Sequence, residues 1–238
     1  MQDDRYTADL FYIAPIYHLA FTRLDSLIVL DSSDLEFYDD ILLLKNEMKK
    51  MKDGELLGIA HDLSPNYYHQ LTEYRNKNPT SKHGHAGHLQ GFNTGVVLYN
   101  LKAMRQSYLY NSFLNPRMVS ILADKFLYKF TLAEQDWFTN LGYLHPHLFY
   151  ILPCTFNRQT SIQFLRPPWE DIFESFHECK PKINVMIIHS NGCGPTPQVC
   201  KFNLTNSGSK YWKDRSYYEE DIHLDIERFW LGISKVGF

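Results

Sequence analysis

Four short apolar runs, each giving way to polar residues, set the frame of the chain. "LIVL" at residues 27–30 runs into "DSSDLEFYDD"; "ELLGIAHD" fills residues 55–62; "GFNTGVVLYNL" fills residues 91–101; residues 185–188 lead into His189 and a Gly/Pro-rich turn. Runs of this length, partly β-branched and bounded by turn residues, predict buried strands. Between them the apolar period lengthens to that of helices. Residues 8–23 predict a helix that starts or kinks at Pro15, and "DDILLLKNEMKKM" (39–51) has the acidic start, apolar face and basic end of an amphipathic helix. Residues 102–130 predict helix broken near Pro116, "LAEQDWFTNLG" (132–142) a helix opening on acid, and "YYEEDIHLDIERFWLGI" near the end one more amphipathic helix. Strands alternating with helices predict an α/β domain with a largely parallel sheet.

Composition narrows the class without choosing a function. With 238 residues, 44% hydrophobic and 21% charged, the chain suits one sizeable packed domain rather than a disordered one. A net charge of −3 gives no electrostatic footprint for nucleic acid. No apolar run approaches the roughly 20 residues that cross a bilayer. "LFYIAPIYHLAF" (10–21) is too short, carries Pro15 and lacks a basic flank, so it reads as neither span nor signal peptide. The expectation is a soluble chain as given, with any targeting segment outside it. The four cysteines, Cys154, Cys179, Cys193 and Cys200, form no CxxC pair, which argues against structural zinc and leaves three disulfide pairings open. "NLT" at Asn203 is an N-glycosylation acceptor motif, short enough to arise by chance. His83, His85 and His88 lie in a Gly/Pro-containing loop (76–90) without regular spacing, and read as an exposed loop rather than as ligands.

Chemistry concentrates at the strand ends. In open α/β sheets ligands bind beyond the carboxyl ends of the strands, and three runs place polar residues there: Asp31 with Asp34, Asn93, and His189. Two carboxylates and an imidazole suit a hard-to-borderline ion such as Mn²⁺, which can bridge nucleotide phosphates and neutralise a departing diphosphate. Taken singly, each residue has a structural account: an aspartate capping a turn, an asparagine bonding its own loop, a histidine satisfied at a strand end.

Their order along the chain resembles glycosyltransferase family 8, retaining nucleotide-sugar transferases of the GT-A fold. The family pattern is an aspartate pair after an apolar strand, then FN-[ST]-G-V, then DQD, then a late histidine. Here it reads "VLDSSDLEF", "GFNTGVVLYNL", "AEQDWFT" and "IIHSNG". "GFNTGVVLYNLKAMRQSYLY", "QDWFTNLGYLHPHLFYILPCTFNRQ" and "PNYYHQLTEYRNKNP" bring the likeness nearest to the xyloside α-1,3-xylosyltransferase branch, over residues 10–197. The resemblance implies a Rossmann-like, mixed but mostly parallel sheet flanked by helices. It implies Asp31, Asp34 and His189 as ligands of Mn²⁺, with Mg²⁺ as a substitute. It implies Asn93 facing the donor sugar, Glu134 and Gln135 beside the transferred xylose, and Asn157 and Asn191 lining the donor or acceptor cleft. It further implies UDP-xylose as donor and xylosyl-glucose on EGF-like repeats as acceptor. A type II membrane protein of the endoplasmic reticulum or Golgi lumen, anchored outside this chain, and a Cys154–Cys179 disulfide follow from the same likeness. Double displacement needs a nucleophile under the anomeric carbon. Gln135, at that position, is a neutral amide, so same-face transfer through an oxocarbenium-like state is the expectation.

Three departures stand out. The metal motif reads D-S-S-D, one residue longer than D-x-D, so the two acids would not share a face of an extended chain. Glu134 replaces the first Asp of DQD. The β-α-β segment that supplies the uridine pocket in GT-A enzymes has no counterpart ahead of residue 27, so the chain divides into an N-terminally incomplete catalytic domain (1–200) and an extension (201–238). The alternatives are a catalytically inactive homologue that binds glycan or protein, and a glucoside xylosyltransferase that adds the first xylose.

Overall fold

A computed structural model describes residues 13–31, 34–128, 130–161, 168–179 and 185–191. The predicted C-terminal helix and extension, Cys193, Cys200 and Asn203 lie outside the described residues.

The longest strand, β4 (Phe92–Tyr99), organises the molecule. It pairs with β1 (Leu27–Leu30) on one side and β3 (Leu57–His61) on the other, and β5 (Phe149–Ile151) completes a sheet of order β1-β4-β3-β5. Successive residues of a strand face opposite sides, and both sides of β4 are covered. Val97 and Tyr99 meet Leu57, Ile59, Met104, Trp137, Phe138 and Leu141; Val96 and Leu98 meet Leu44, Ala60, Leu152, Phe156 and Ile187. This double burial is why "VVLY" is an unbroken apolar run rather than an alternating one. A second sheet, order β2-β7-β6, joins β2 (Leu35–Phe37), β7 (Ile187–His189) and β6 (Arg158–Gln159).

Nine helices surround the sheets among the described residues: α1 (Tyr17–Ala20), α2 (Leu42–Met48), α3 (Asn66–Gln70), α4 (Thr72–Lys77), α5 (Leu101–Gln106), α6 (Tyr108–Ser112), α7 (Pro116–Phe126), α8 (Glu134–Leu144) and α9 (Glu170–His177). Helix α8 is buried from Gln135 to Tyr143. A helix enclosed on all sides must satisfy its own polar groups. Thr139 Oγ1 accepts from the Phe92 N–H at 3.0 Å, and Asn140 Oδ1 accepts from the Tyr128 hydroxyl at 2.8 Å. Gly142 permits the close approach to β4, because a Cβ there would stand 2.3 Å from the Phe92 ring.

The mixed, helix-flanked α/β arrangement is as expected, but the parallel majority is not found among the described strands. Only β3–β5 and β6–β7 are parallel; β1–β4, β3–β4 and β2–β7 are antiparallel. The cause is the excursion between β3 and β4. It leaves and returns at one end of the sheet, where the Asp62 N–H donates to Gly91 O at 2.9 Å, so β4 runs back against β3. Strand β1 is half-buried rather than buried, since among the described strands it forms an edge and pairs with β4 alone. The predicted helix over 8–23 is, within the described residues, a 3₁₀ turn (Ala14–Ile16) running into α1. Pro116 does interrupt the 102–130 region: it opens α7, whose N-cap Asn115 Oδ1 accepts from the Met118 N–H at 3.0 Å. Helices α3, α4 and α9 and the short strands β2, β5 and β6 were not predicted. Nor is the histidine loop wholly exposed, for the half-buried His83 packs against Phe126 and Tyr143.

Candidate active site at the junction of the two sheets

The two acids of "DSSD" sit on different sheets. Asp31 continues β1, its N–H donating to Gly95 O of β4 at 2.9 Å. Asp34 begins the second sheet: its carbonyl accepts from the Ser190 N–H at 2.8 Å, and the next residue, Leu35, pairs with His189. Between them the chain changes sheets, so the alternation that would turn residues i and i+3 apart does not apply. Ser32 and Ser33 are outside the described residues. Oxygens of Asp31 and Asp34 and a ring nitrogen of His189 lie within 4.8 Å of one another, close enough to be gathered on one cation.

The donor set fits a divalent ion on a second ground. Asp34 Oδ1 is buried and receives no hydrogen bond. Its neighbour His189 Nε2 is 3.3 Å away, an ion-pair distance without hydrogen-bond alignment. A buried carboxylate oxygen left without a donor is costly unless something positive meets it.

His189 itself is held from behind. Its Nδ1 lies 3.1 Å from Asn93 Oδ1 and 3.0 Å from Asn157 Oδ1. Asn93 Oδ1 also accepts from the Gly95 N–H (3.0 Å) and from Asn157 Nδ2 (2.9 Å). The ring lies against Gly95, where a Cβ would meet imidazole atoms at 2.3–2.4 Å. The glycine of "FNTG" is thus the seat of the imidazole. A register shift between Ile59 and Ala60 leaves Thr94–Val96 unpaired with β3, and such a bulge re-aims side chains at a site. It lets Asn93 fold back on Gly95. Asn93, with 5% exposure, therefore spends its amide oxygen inside the protein, behind the histidine.

Thr94, on the same bulge, links β4 to the start of α8. Its N–H donates to Gln135 Oε1 at 3.2 Å, and its hydroxyl lies 3.3 Å from Glu134 Oε1 and 3.4 Å from Gln135 Oε1. Burial pushes the Glu134 carboxyl up to about 7, with Asp136 and Asp31 adding to it; its Oε2 is buried without a hydrogen bond. The turn before Glu134 is strained: Ala133 has φ 48° and ψ −119°, a region costing a non-glycine residue on the order of 1–3 kcal/mol. Asp136, whose role has no place among the residues expected at the site, holds that turn. Its Oδ2 accepts from the N–H groups of Thr131 (2.6 Å) and Leu132 (2.7 Å), and its Oδ1 from the Tyr67 hydroxyl (2.7 Å). The available signal was an acid in the third position of a helix, where it can reach back to free N–H groups.

Asn157 is fully buried. Asn191 is half-buried and tied to Ser161, its Oδ1 accepting from the Ser161 N–H at 3.0 Å. Cys154 and Cys179 are joined in a disulfide that fastens the turn before Asn157 to the end of α9.

No family model matches the chain. It is 36% identical over 195 residues to xyloside xylosyltransferase 1 of Homo sapiens, covering 81% of this chain and 49% of the relative, and 35% identical over the same length to that of Mus musculus. The solved structure of mouse xyloside xylosyltransferase 1 in its apo form superposes with a TM-score of 0.74 at 34% identity, over 80% of this chain and 68% of that one. The chain belongs to the xyloside xylosyltransferase family. Its mixed α/β arrangement is that of the GT-A glycosyltransferases. The chain spans about half the length of the curated xyloside xylosyltransferases it matches.

Proposed function

We propose that this chain is the transfer part of a retaining xylosyltransferase that moves xylose from UDP-xylose to a xylosyl-glucose glycan on EGF-like repeats, in the lumen of the endoplasmic reticulum or Golgi. The observation that carries the reading is the convergence of Asp31, Asp34 and His189 beside Thr94, Glu134 and Gln135. Membership of a family whose relatives are xyloside xylosyltransferases supports the sugar and the acceptor class. The disulfide supports an oxidising compartment.

Asp31, Asp34 and His189 would hold Mn²⁺, which when bound supplies electrostatic stabilisation of the departing diphosphate. The chain's own part is positioning. Gln135 keeps its amide oxygen on Thr94 and its Nε2 on the Tyr67 hydroxyl, and a neutral amide so engaged is a poor nucleophile. Asp136 is fully buried with both carboxylate oxygens bonded to the turn and to Tyr67, so it is not presented to a sugar. With neither Gln135 nor Asp136 free to act as a nucleophile, the reading is attack by the acceptor on the face the diphosphate leaves, a diphosphate oxygen taking the acceptor proton. Glu134, whose carboxyl titrates near neutrality, is suited to hydrogen-bonding a sugar hydroxyl there.

The test is release of UDP from UDP-xylose by the purified full-length protein, supplied with Mn²⁺ and a xylosyl-glucose acceptor. Turnover that vanishes with chelator and with His189→Ala supports the proposal. Absence of turnover by folded protein overturns it in favour of a binding-only homologue, and preference for a bare O-glucose acceptor would reassign the acceptor.

A further inference from the structure

The hydrogen bonds behind His189 form a chain with one consistent set of directions. It starts from a group that cannot be turned round, the Gly95 backbone N–H, which donates at 3.0 Å to the Asn93 amide and so fixes the bonded atom as Oδ1. The amide atom of Asn157 standing 2.9 Å from that oxygen, and 3.4 Å from Asn93 O, must then be the donor Nδ2. This turns Asn157 Oδ1 towards the ring, 3.0 Å from His189 Nδ1, while Asn93 Oδ1 stands 3.1 Å from the same nitrogen. Faced by two acceptors and no donor, Nδ1 must carry a proton. In the neutral ring the lone pair is then on Nε2, 3.3 Å from the undonated Asp34 Oδ1. Two lone pairs so placed repel each other unless a cation stands between them.

We infer that Asn93, Gly95 and Asn157 form a cradle that fixes the tautomer and the plane of His189, with Asn157 the positioning residue that makes Nε2 the cation-facing atom. The inference rests on the metal site proposed above and gives that site a determinant behind the imidazole rather than among the three ligands. Partners of this kind typically contribute 10–100-fold to metal affinity. Gly95 contributes by leaving room: a Cβ would overlap the ring at 2.3 Å. Asn157 contributes by charge pattern, accepting from one ring nitrogen so that the other is free. It is fully buried, so its amide is screened from competing water.

Two measurements on the full chain test this. Long-range ¹H–¹⁵N correlation of the histidine rings at pH 8 without metal, with His189 assigned by its loss in His189→Gln, reads the tautomer directly; the expected form is Nδ1–H, and an Nε2–H ring overturns the inference. Calorimetric titration with Mn²⁺ alone then compares the wild type with Asn157→Leu and with Asn157→Asp. The Leu variant is expected to bind at least tenfold more weakly and the Asp variant, which keeps an acceptor against Nδ1, to retain most of the affinity. Wild-type affinity in a folded Leu variant overturns the inference. A wild type with the Nδ1–H ring and no Mn²⁺ binding leaves the cradle standing and defeats the metal site instead, so the two failures are distinct. Should the Leu variant not fold, the tautomer measurement and the Asp variant still decide.

Discussion

The Tyr67 hydroxyl donates to Asp136 Oδ1 at 2.7 Å across 69 positions of sequence. It joins α3, which follows β3, to the first turn of α8. The bond closes a clamp, because the other oxygen of Asp136 holds the N–H groups of Thr131 and Leu132 on the strained side of Ala133. Tyr67→Phe leaves one oxygen of a buried carboxyl without its donor, expected to cost about 1–3 kcal/mol. Urea denaturation should show a lower midpoint at unchanged slope. An unchanged midpoint would mean the clamp adds no stability.

Thr94→Val removes the hydroxyl that spans Glu134 and Gln135 while keeping the β-branched shape. Turnover with UDP-xylose should fall about tenfold, the worth of one hydrogen bond near 1.4 kcal/mol, while Mn²⁺ affinity stays the same. Equal loss in both would place Thr94 in the cation site rather than beside the sugar.

Stability should fall as pH rises towards neutrality, and Asp62 is one cause. Burial pushes its carboxyl up to about 7 despite a hydrogen bond from Ser64 Oγ at 2.7 Å. Unfolded, the same group ionises near its ordinary value of about 4, so between those values the folded chain holds the extra proton. That contribution is complete below about pH 4, is lost as pH rises to about 7, and is flat above. Asp62→Asn should therefore flatten the slope of melting temperature between pH 5 and 8. Part of the slope should persist, because Glu134 is raised in the same sense. A slope identical to wild type would refute this assignment.

The Cys154–Cys179 crosslink, 25 positions apart, should add about 3–4 kcal/mol by the loop-entropy estimate. Wild-type protein should melt lower in reductant, whereas a Cys154→Ser/Cys179→Ser double variant should melt low in both conditions. Loss of Mn²⁺ affinity in that variant beyond its loss of stability would show that the crosslink also steadies Asn157.

How far the sequence could be read depends on how far apart the interacting residues lie. The runs at 27–30, 55–62 and 91–101 announced β1, β3 and β4 because apolar, β-branched stretches have few other uses, and the acidic start of residues 132–142 announced α8. Strands β2 and β6 are too short to carry a period. Helices α3 and α4 follow Pro65 in a polar stretch whose inward stripe, Tyr67, Leu71 and the half-buried Tyr74, is mostly tyrosine rather than aliphatic. At the site, Asp31, Asp34 and His189 stood out because each follows an apolar run. Asn93 was expected at the carboxyl end of its run but lies at the start of β4, because the strand's direction is fixed only by the return at Asp62 and Gly91. Asn157 had no local signal, since its meaning lies in partners 64 and 32 positions away.

Gly95 gives the proposed cation pocket a rigid half and an adjustable half. On its side the wall is main chain of a central strand, with the imidazole seated where a side chain would otherwise stand, and no rotamer exists there to change. A change in the size of the pocket would therefore have to come from the acid side. That is where this chain carries its extra serine. An added residue is tolerable between Asp31 and Asp34 because each is pinned to a different sheet. One added within Asn93–Gly95 would unseat the histidine.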